Sequence, residues 1–216
     1  MLFKDYNINQ FVLELSSDAP SPGGGSTAAL VSALAASLNS MVYSLTVGKK
    51  SFDILKDEEK EKMIEFREKA KKFTTVSQEF MEKDREDFVG LMASYKLAKN
   101  TEEEKNNRSK AIQENTVKAM RTPLNLAENA LEFYENIKFA VKFGNKNLVS
   151  DAGVAAILLH GAIESAILNV KVNLNSLRNE EFFLDIDKRC KEIIKESLEE
   201  KEKIVIEVNN VIYPNN

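Results

Sequence analysis

From Thr27 to Val47 the chain carries no charged residue, and this segment most constrains what the protein can fold into. Twenty-one uncharged residues at helical spacing must be enclosed by other helices or lie in a bilayer. Ser32, Ser37, Asn39, Ser40, Ser44 and Thr46 interrupt the run and alanines fill much of the rest. That polarity favours a buried helix over a membrane span. The segment is entered through Pro20-Ser21-Pro22-Gly23-Gly24-Gly25-Ser26 and left through Val47-Gly48-Lys49-Lys50. Three consecutive glycines suit a place where something approaches the backbone closely. Ser26 reads as the N-cap, leaving first-turn amides and the positive end of the helix dipole to meet an anionic or carbonyl group.

The rest of the chain repeats the helical period, and no alternating run of strand type appears. The spacing predicts a short helix over 7–16, the buried helix over 27–47 and a very long helix over 57–98. Thr101 and Glu104 form a capping box that starts a helix reaching Arg121, where Pro123 kinks it or begins the next. That next helix closes at Gly144, expected as a left-handed C-terminal residue. Ser150 or Asp151 then caps a helix to about Arg178, and a charged helix follows from about Glu180 to Ile212. Long helices joined by short turns imply an all-α, up-and-down bundle, and 216 residues without a linker imply one domain, 1–216. The charge runs at 57–62 and 196–203 read as solvated faces.

Composition narrows the function. A net charge of −4 without a basic stripe argues against a nucleic-acid partner. One Cys and one His exclude a disulfide framework and the usual zinc sites, and fit a reduced, cytoplasmic setting. The N-terminus lacks a signal-peptide layout.

The long third helix carries two seam rows, Met63, Ala70, Ser77, Asp84, Leu91 and Phe66, Phe73, Phe80, Asp87, Ser94. Each row turns from apolar to a carboxylate, and buried carboxylates need a partner or a task. Asp84 and Asp87 are therefore candidate site residues, Asp84 first, because helical drift from a strict heptad can turn Asp87 toward water. The helix from Ser150 presents a small-residue face through Asp151, Ala155, Ala162, Ser165, Asn169 and Ser176. Asp151 and Asn169 offer polar groups there, though Asp151 also suits a plain cap. His160 reads as a surface partner of Glu164. Lys49 and Lys50 complement a helix C-terminus or clamp a polyanion, and Gly48-Lys49-Lys50-Ser51 fails as a phosphate loop because Tyr43 stands where glycine is needed.

The glycine turn, Leu45 to Lys50, Gly144-Asn145 with Ser150 to Ala156, and Asn169-Val170 leading to Asn173-Leu174 occur in an order that resembles the formimidoyltetrahydrofolate cyclodeaminase and methenyltetrahydrofolate cyclohydrolase family. The resemblance implies an all-helical homodimer in folate one-carbon metabolism, with a tetrahydrofolate derivative as substrate, no metal or other cofactor, and a site near the glycine turn and the dimer contact. It places cyclodeaminase ahead of cyclohydrolase. Asp84, Asp87 and Asp151 are then the candidate acids and bases. Pro22, Gly24, Gly25, Ser26, Ser150 and Asn169 are candidate substrate contacts, and Lys49 and Lys50 would meet the glutamate tail, polyglutamylated or not. A non-catalytic bundle that binds folate or a partner helix is the alternative. The central helix spans roughly 30 Å, so its glycines and lysines reach one compact ligand only if the tail is long or a second subunit supplies the lysines.

Overall fold

A computed structural model describes residues 1–214. Among them there are seven α-helices and no strand: α1 (Ile8–Leu15), α2 (Gly24–Ser44), the four-residue α3 (Lys50–Asp53), α4 (Asp57–Tyr95), α5 (Glu102–Phe143), α6 (Val149–Leu174) and α7 (Phe183–Ile212). Helix starts follow local chemistry. Asn7 accepts from the Gln10 amide at 2.8 Å to open α1, and the Thr101 hydroxyl and Glu104 carboxylate close the expected capping box on α5. Asp57, Glu58 and Glu59 occupy the first turn of α4, where the helix dipole favours negative charge.

Cross-helix hydrogen bonds fix the directions. Ser26 meets Asp84 and Ser32 meets Ser77, so α2 and α4 run antiparallel. Asp87 meets Thr122 and Asn136 meets the Phe66 carbonyl, so α4 and α5 do the same. Asn173 meets Ala119 and Tyr134 meets Ala156, which sets α6 against α5. Tyr134 with Ser197 and Lys138 with Glu200 then place α7 parallel to α5, completing an up-and-down arrangement. Helix α2 lies between α4 and α6. Its buried face is small from Gly25 through Ala28, Ala29, Ser32, Ala33, Ala35 and Ala36, which lets both neighbours approach closely, and ends in the larger Val42 and Tyr43.

Helix α2 and the stretch Lys146–Leu177 are each long and apolar enough to cross a bilayer by length and composition, with mean hydropathies of 1.3 and 1.6. About half of each is buried inside the bundle. The remaining half leaves Leu34, Met41 and Leu45 on or beside α2 and Val154, Ile157 and Leu168 on α6 exposed.

Four local expectations are corrected. Ser26 is not the N-cap: α2 begins at Gly24 with Gly23 in the cap position, and Ser26, fully buried, turns its hydroxyl to Asp84 instead. Pro123 does not break the chain into two helices, because α5 runs unbroken through it to Phe143. Gly144 has φ −72°, so it is not left-handed; a Cβ there would meet the Ala140 carbonyl oxygen at 2.4 Å and Val42 Cγ1 at 2.8 Å, so crowding is what demands glycine. Neither Ser150 nor Asp151 caps α6, since a 3-10 turn over Lys146–Leu148 leads straight into the helix at Val149. The α4 seam also drifts as a 3.6-residue helix should: Met81, not Phe80, takes the buried place after Ser77, and Phe80 is half-buried.

Candidate active site

The glycine turn, the C-terminal half of α4, the middle of α5 and the end of α6 enclose a cavity of about 380 Å³, within the range of about 300–1,000 Å³ typical of small-molecule sites. Pro20, Ser21, Gly24 and Gly25 form one rim, Asp84, Phe88 and Met92 the α4 wall, and Asn169 and Asn173 the α6 wall. Ala119 and Thr116 of α5 close the floor, with Tyr95 at the far edge.

Asp84 reaches this cavity because α2 has no side chain in its way. A Cβ on Gly25 would lie 1.9 Å from Asp84 Oδ1 and 2.4 Å from its Cγ. The Ser26 hydroxyl donates to Asp84 Oδ2 at 2.9 Å, which aims Oδ1 outward. Burial raises the Asp84 pKa above the ordinary carboxylate value; the Ser26 hydroxyl and amide lower it in part, and the nearby charge of Asp87 raises it again. The result is a fixed carboxyl that holds its proton more tightly than a solvated one, in contact with a cavity.

Asp87 has a different fate. It is 6% exposed, accepts from the Thr122 hydroxyl at 2.5 Å and pairs with Lys83 at 3.1 Å. Asp87 in turn holds the Lys83 ammonium above its ordinary value, through a hydrogen bond and its charge. Outside the cavity and fully engaged, Asp87 joins α4 to α5 instead of facing a ligand. Thr122→Val leaves that carboxylate one partner short and is expected to lower unfolding stability by about 1–3 kcal/mol in urea titration, with turnover largely kept.

The other expected site residues separate into two groups. Gly24, Gly25, Asp84 and Asn169 meet in the cavity. Pro22 is buried behind the turn and Ser26 beneath Asp84, so both support the rim without lining it. Lys49, Lys50 and Ser150 are exposed at the opposite end of α2, where Asn145 donates its amide to Thr46. Asp151 shares a face with Asn169 but lies 18 residues away on α6, a rise of about 27 Å. Face periodicity puts the two in one row; axial rise keeps them apart. His160 lies 3.7 Å from Glu164, the expected neighbour, but is half-buried and not a surface residue, bonding Ser197 of α7 through Nδ1 at 2.8 Å outside the cavity. Burial is the largest of the effects that lower its pKa.

Sequence reading missed Phe88, Met92 and Tyr95, although they follow Asp84 at steps of four, four and three and so share its helix face. Among the described residues, no three His, Cys, Asp or Glu side chains gather as a metal-holding group.

A model of the formiminotransferase-cyclodeaminase family matches residues 7–192. A methenyltetrahydrofolate cyclohydrolase of Methylorubrum extorquens is 36% identical over 86% of each chain. The formimidoyltransferase-cyclodeaminase of Rattus norvegicus is 33% identical over 82% of this chain, which spans only about a third (32%) of that longer protein. Among solved structures, the formiminotetrahydrofolate cyclodeaminase of Thermotoga maritima superimposes with a TM-score of 0.77 at 25% identity, over 98% of both chains. With an all-helical fold, a glycine rim and matching length, the chain belongs to the formiminotransferase-cyclodeaminase family.

Proposed function

We propose that the cavity binds a reduced folate and that the protein is a 5-formimidoyltetrahydrofolate cyclodeaminase, with Asp84 moving the proton. The observation that carries this reading is a single proton-holding carboxyl, fixed by Ser26 and exposed to the cavity by Gly25. In this reaction the formimino group on N5 enters protonated, as an amidinium; N10 attacks its carbon, the new N10–C bond forms, and the C=N electron pair moves to the terminal nitrogen, which becomes NH2. Asp84 takes the proton from N10 and delivers it to that nitrogen. The C–N bond then breaks, ammonia leaves, and the positive charge stays on the 5,10-methenyl product. One carboxyl that can both accept and donate suffices, and a pKa raised by burial lets it hold the proton between the two transfers. Nothing in this sequence of steps calls for a metal or redox cofactor.

A second reading is favoured by the Methylorubrum relative, which matches over most of both chains and is a cyclohydrolase. There water adds to the methenyl carbon and Asp84 takes one water proton; Asp84 delivers it to N5, the N5–C bond opens, and loss of the remaining hydroxyl proton to solvent leaves 10-formyltetrahydrofolate. Incubating the purified protein with each folate while following the methenyl absorbance distinguishes the two. A rise with 5-formimidoyltetrahydrofolate supports the first reading and a fall with the methenyl compound alone the second. No change with either contradicts both.

The reading extends to a homodimer in which α2 and α6 meet their copies. Their exposed apolar face is continuous with the cavity through Val172, itself exposed and a lining residue. A two-fold axis midway along α2 sets each helix antiparallel to its copy, bringing the Lys49, Lys50, Ser150 and Asp151 end of one subunit to the glycine rim of the other. The lysines then meet the glutamate tail, and Asp151 stands as a cross-subunit acid. Mixing Asp84→Asn protein with a Lys49→Ala, Lys50→Ala variant is expected to restore about a quarter of wild-type activity, from random pairing of protomers that leaves one intact site in half of the dimers. A mixture no more active than its parts argues against shared sites. The one cysteine, Cys190, is buried and its thiol is pushed up to about 11 by burial, in keeping with a reduced, cytoplasmic protein.

A further inference from the structure

An unbroken 42-residue helix with proline in its interior raises a question of hydrogen bonding. Pro123 has no N–H, so the Ala119 carbonyl loses the donor that an α-helix supplies four residues on. Ala119 is half-buried and lines the cavity, and a carbonyl left without a donor where water is partly excluded is costly. The missing donor comes from α6: Asn173 Nδ2 bonds Ala119 O at 3.1 Å and, with its second hydrogen, the Asn169 carbonyl at 3.0 Å.

This arrangement determines which way the Asn173 amide points. Turned over, it would set Oδ1 against two carbonyl oxygens, so only one orientation is acceptable. Both N–H groups are then spent, and among the described residues nothing donates to Asn173 Oδ1. One turn earlier Asn169 does the same, giving its Nδ2 to the Ser165 carbonyl at 2.8 Å while its Oδ1 has no donor. Two asparagines of the cavity wall therefore keep an acceptor free beside a ligand. Asp84 lines the same cavity, with a carboxyl that can donate or accept.

We infer that Asn169 and Asn173 read the N–H donors on the edge of the pteridine ring, and that Pro123 is a positioning residue which orients Asn173 by leaving the Ala119 carbonyl open. The inference rests on the folate reading of the cavity. It explains why a helix otherwise rich in good helix formers carries a proline at the turn facing the site. Asn173, with both of its N–H groups engaged, presents only an acceptor and rejects ligands that carry an acceptor at that position, while Asn169 offers its acceptor beside one remaining N–H, so the wall selects among folate-like rings without taking part in proton transfer.

The test is a double-mutant cycle on the purified enzyme, with KM and kcat measured for whichever folate the wild type turns over. Asn173→Ala is expected to raise KM about tenfold, as for one lost hydrogen bond to bound substrate, with kcat changed less than about threefold. Pro123→Ala restores the N–H, lets Ala119 bond within α5 and frees the Asn173 amide to rotate; it is expected to raise KM severalfold with helical content by circular dichroism unchanged or higher. In the Asn173→Ala background, Pro123→Ala is expected to add no further increase. A Pro123→Ala enzyme with wild-type KM, or effects that multiply in the double variant, would overturn the inference while the folate reading stands. A wild type that turns over no folate overturns both.

Discussion

Asp84→Asn is expected to lower turnover by about 10²–10⁴-fold, the range for loss of a positioned acid–base group, and at the same time to raise the melting temperature at neutral pH. The two effects share one cause. Asp84 sits where burial opposes its charge, so the folded protein holds that proton to higher pH than the unfolded chain does. As pH rises above the unfolded carboxyl value of about 3.9, the unfolded state ionises first and is favoured. Stability from this group is therefore fully present below that pH and is lost as pH rises through the raised folded value. Asparagine keeps an oxygen for the Ser26 hydroxyl and has no proton to lose. Thermal melts of the two proteins should coincide near pH 3 and separate toward pH 7, with the variant the more stable. A fully active variant removes Asp84 from the mechanism, and a variant less stable at pH 7 contradicts a raised Asp84 pKa.

Gly25→Ala is expected to cost about 10²-fold in kcat, through displacement of Asp84 and not through loss of the fold. The added methyl would overlap all three terminal atoms of the carboxyl, at 1.9, 2.4 and 2.8 Å. Alanine is otherwise the better helix former by about 1 kcal/mol, so α2 itself gains. What gives way is the Asp84 side chain, and a shift of about 1 Å in a reacting group is enough for a loss of this size. Gly24→Ala is the control: its Cβ would come no closer than 3.3 Å to Asn169, a contact that a small side-chain adjustment relieves. Near-equal losses in the two variants would mean that the rim matters for its backbone alone.

The fold was legible because helical periodicity runs through most of the chain and because caps such as Thr101 with Glu104 are encoded within four residues. Asp84 was legible for a related reason, a carboxylate on an apolar seam. Tertiary partners were not. The difference between Asp84 and Asp87 depends on Thr122, a residue of another helix 35 positions away, and local spacing carries no record of it. The donor to the Ala119 carbonyl, left open by Pro123, is likewise a residue of another helix, Asn173, fifty positions after the proline. The Asp151 to Asn169 row was misjudged because a helical wheel gives azimuth and discards height. Lys49, Lys50, Ser150 and Asp151 lie outside the cavity of their own subunit, and only the proposed homodimer would bring a partner's copies to it.

The cavity bounded by Gly24, Gly25, Asp84 and Asn169 is the proposed place of reaction of a reduced folate. A crystal structure with 5-formyltetrahydrofolate, which resembles the formimino substrate and cannot release ammonia, tests this directly. The account predicts the pteridine in that cavity, with N5 or N10 or its one-carbon group within about 2.6–3.2 Å of Asp84. Density for the ligand elsewhere, such as the groove between α4 and α5 beside Phe73 and Phe133, with the Asp84 cavity empty, would contradict it.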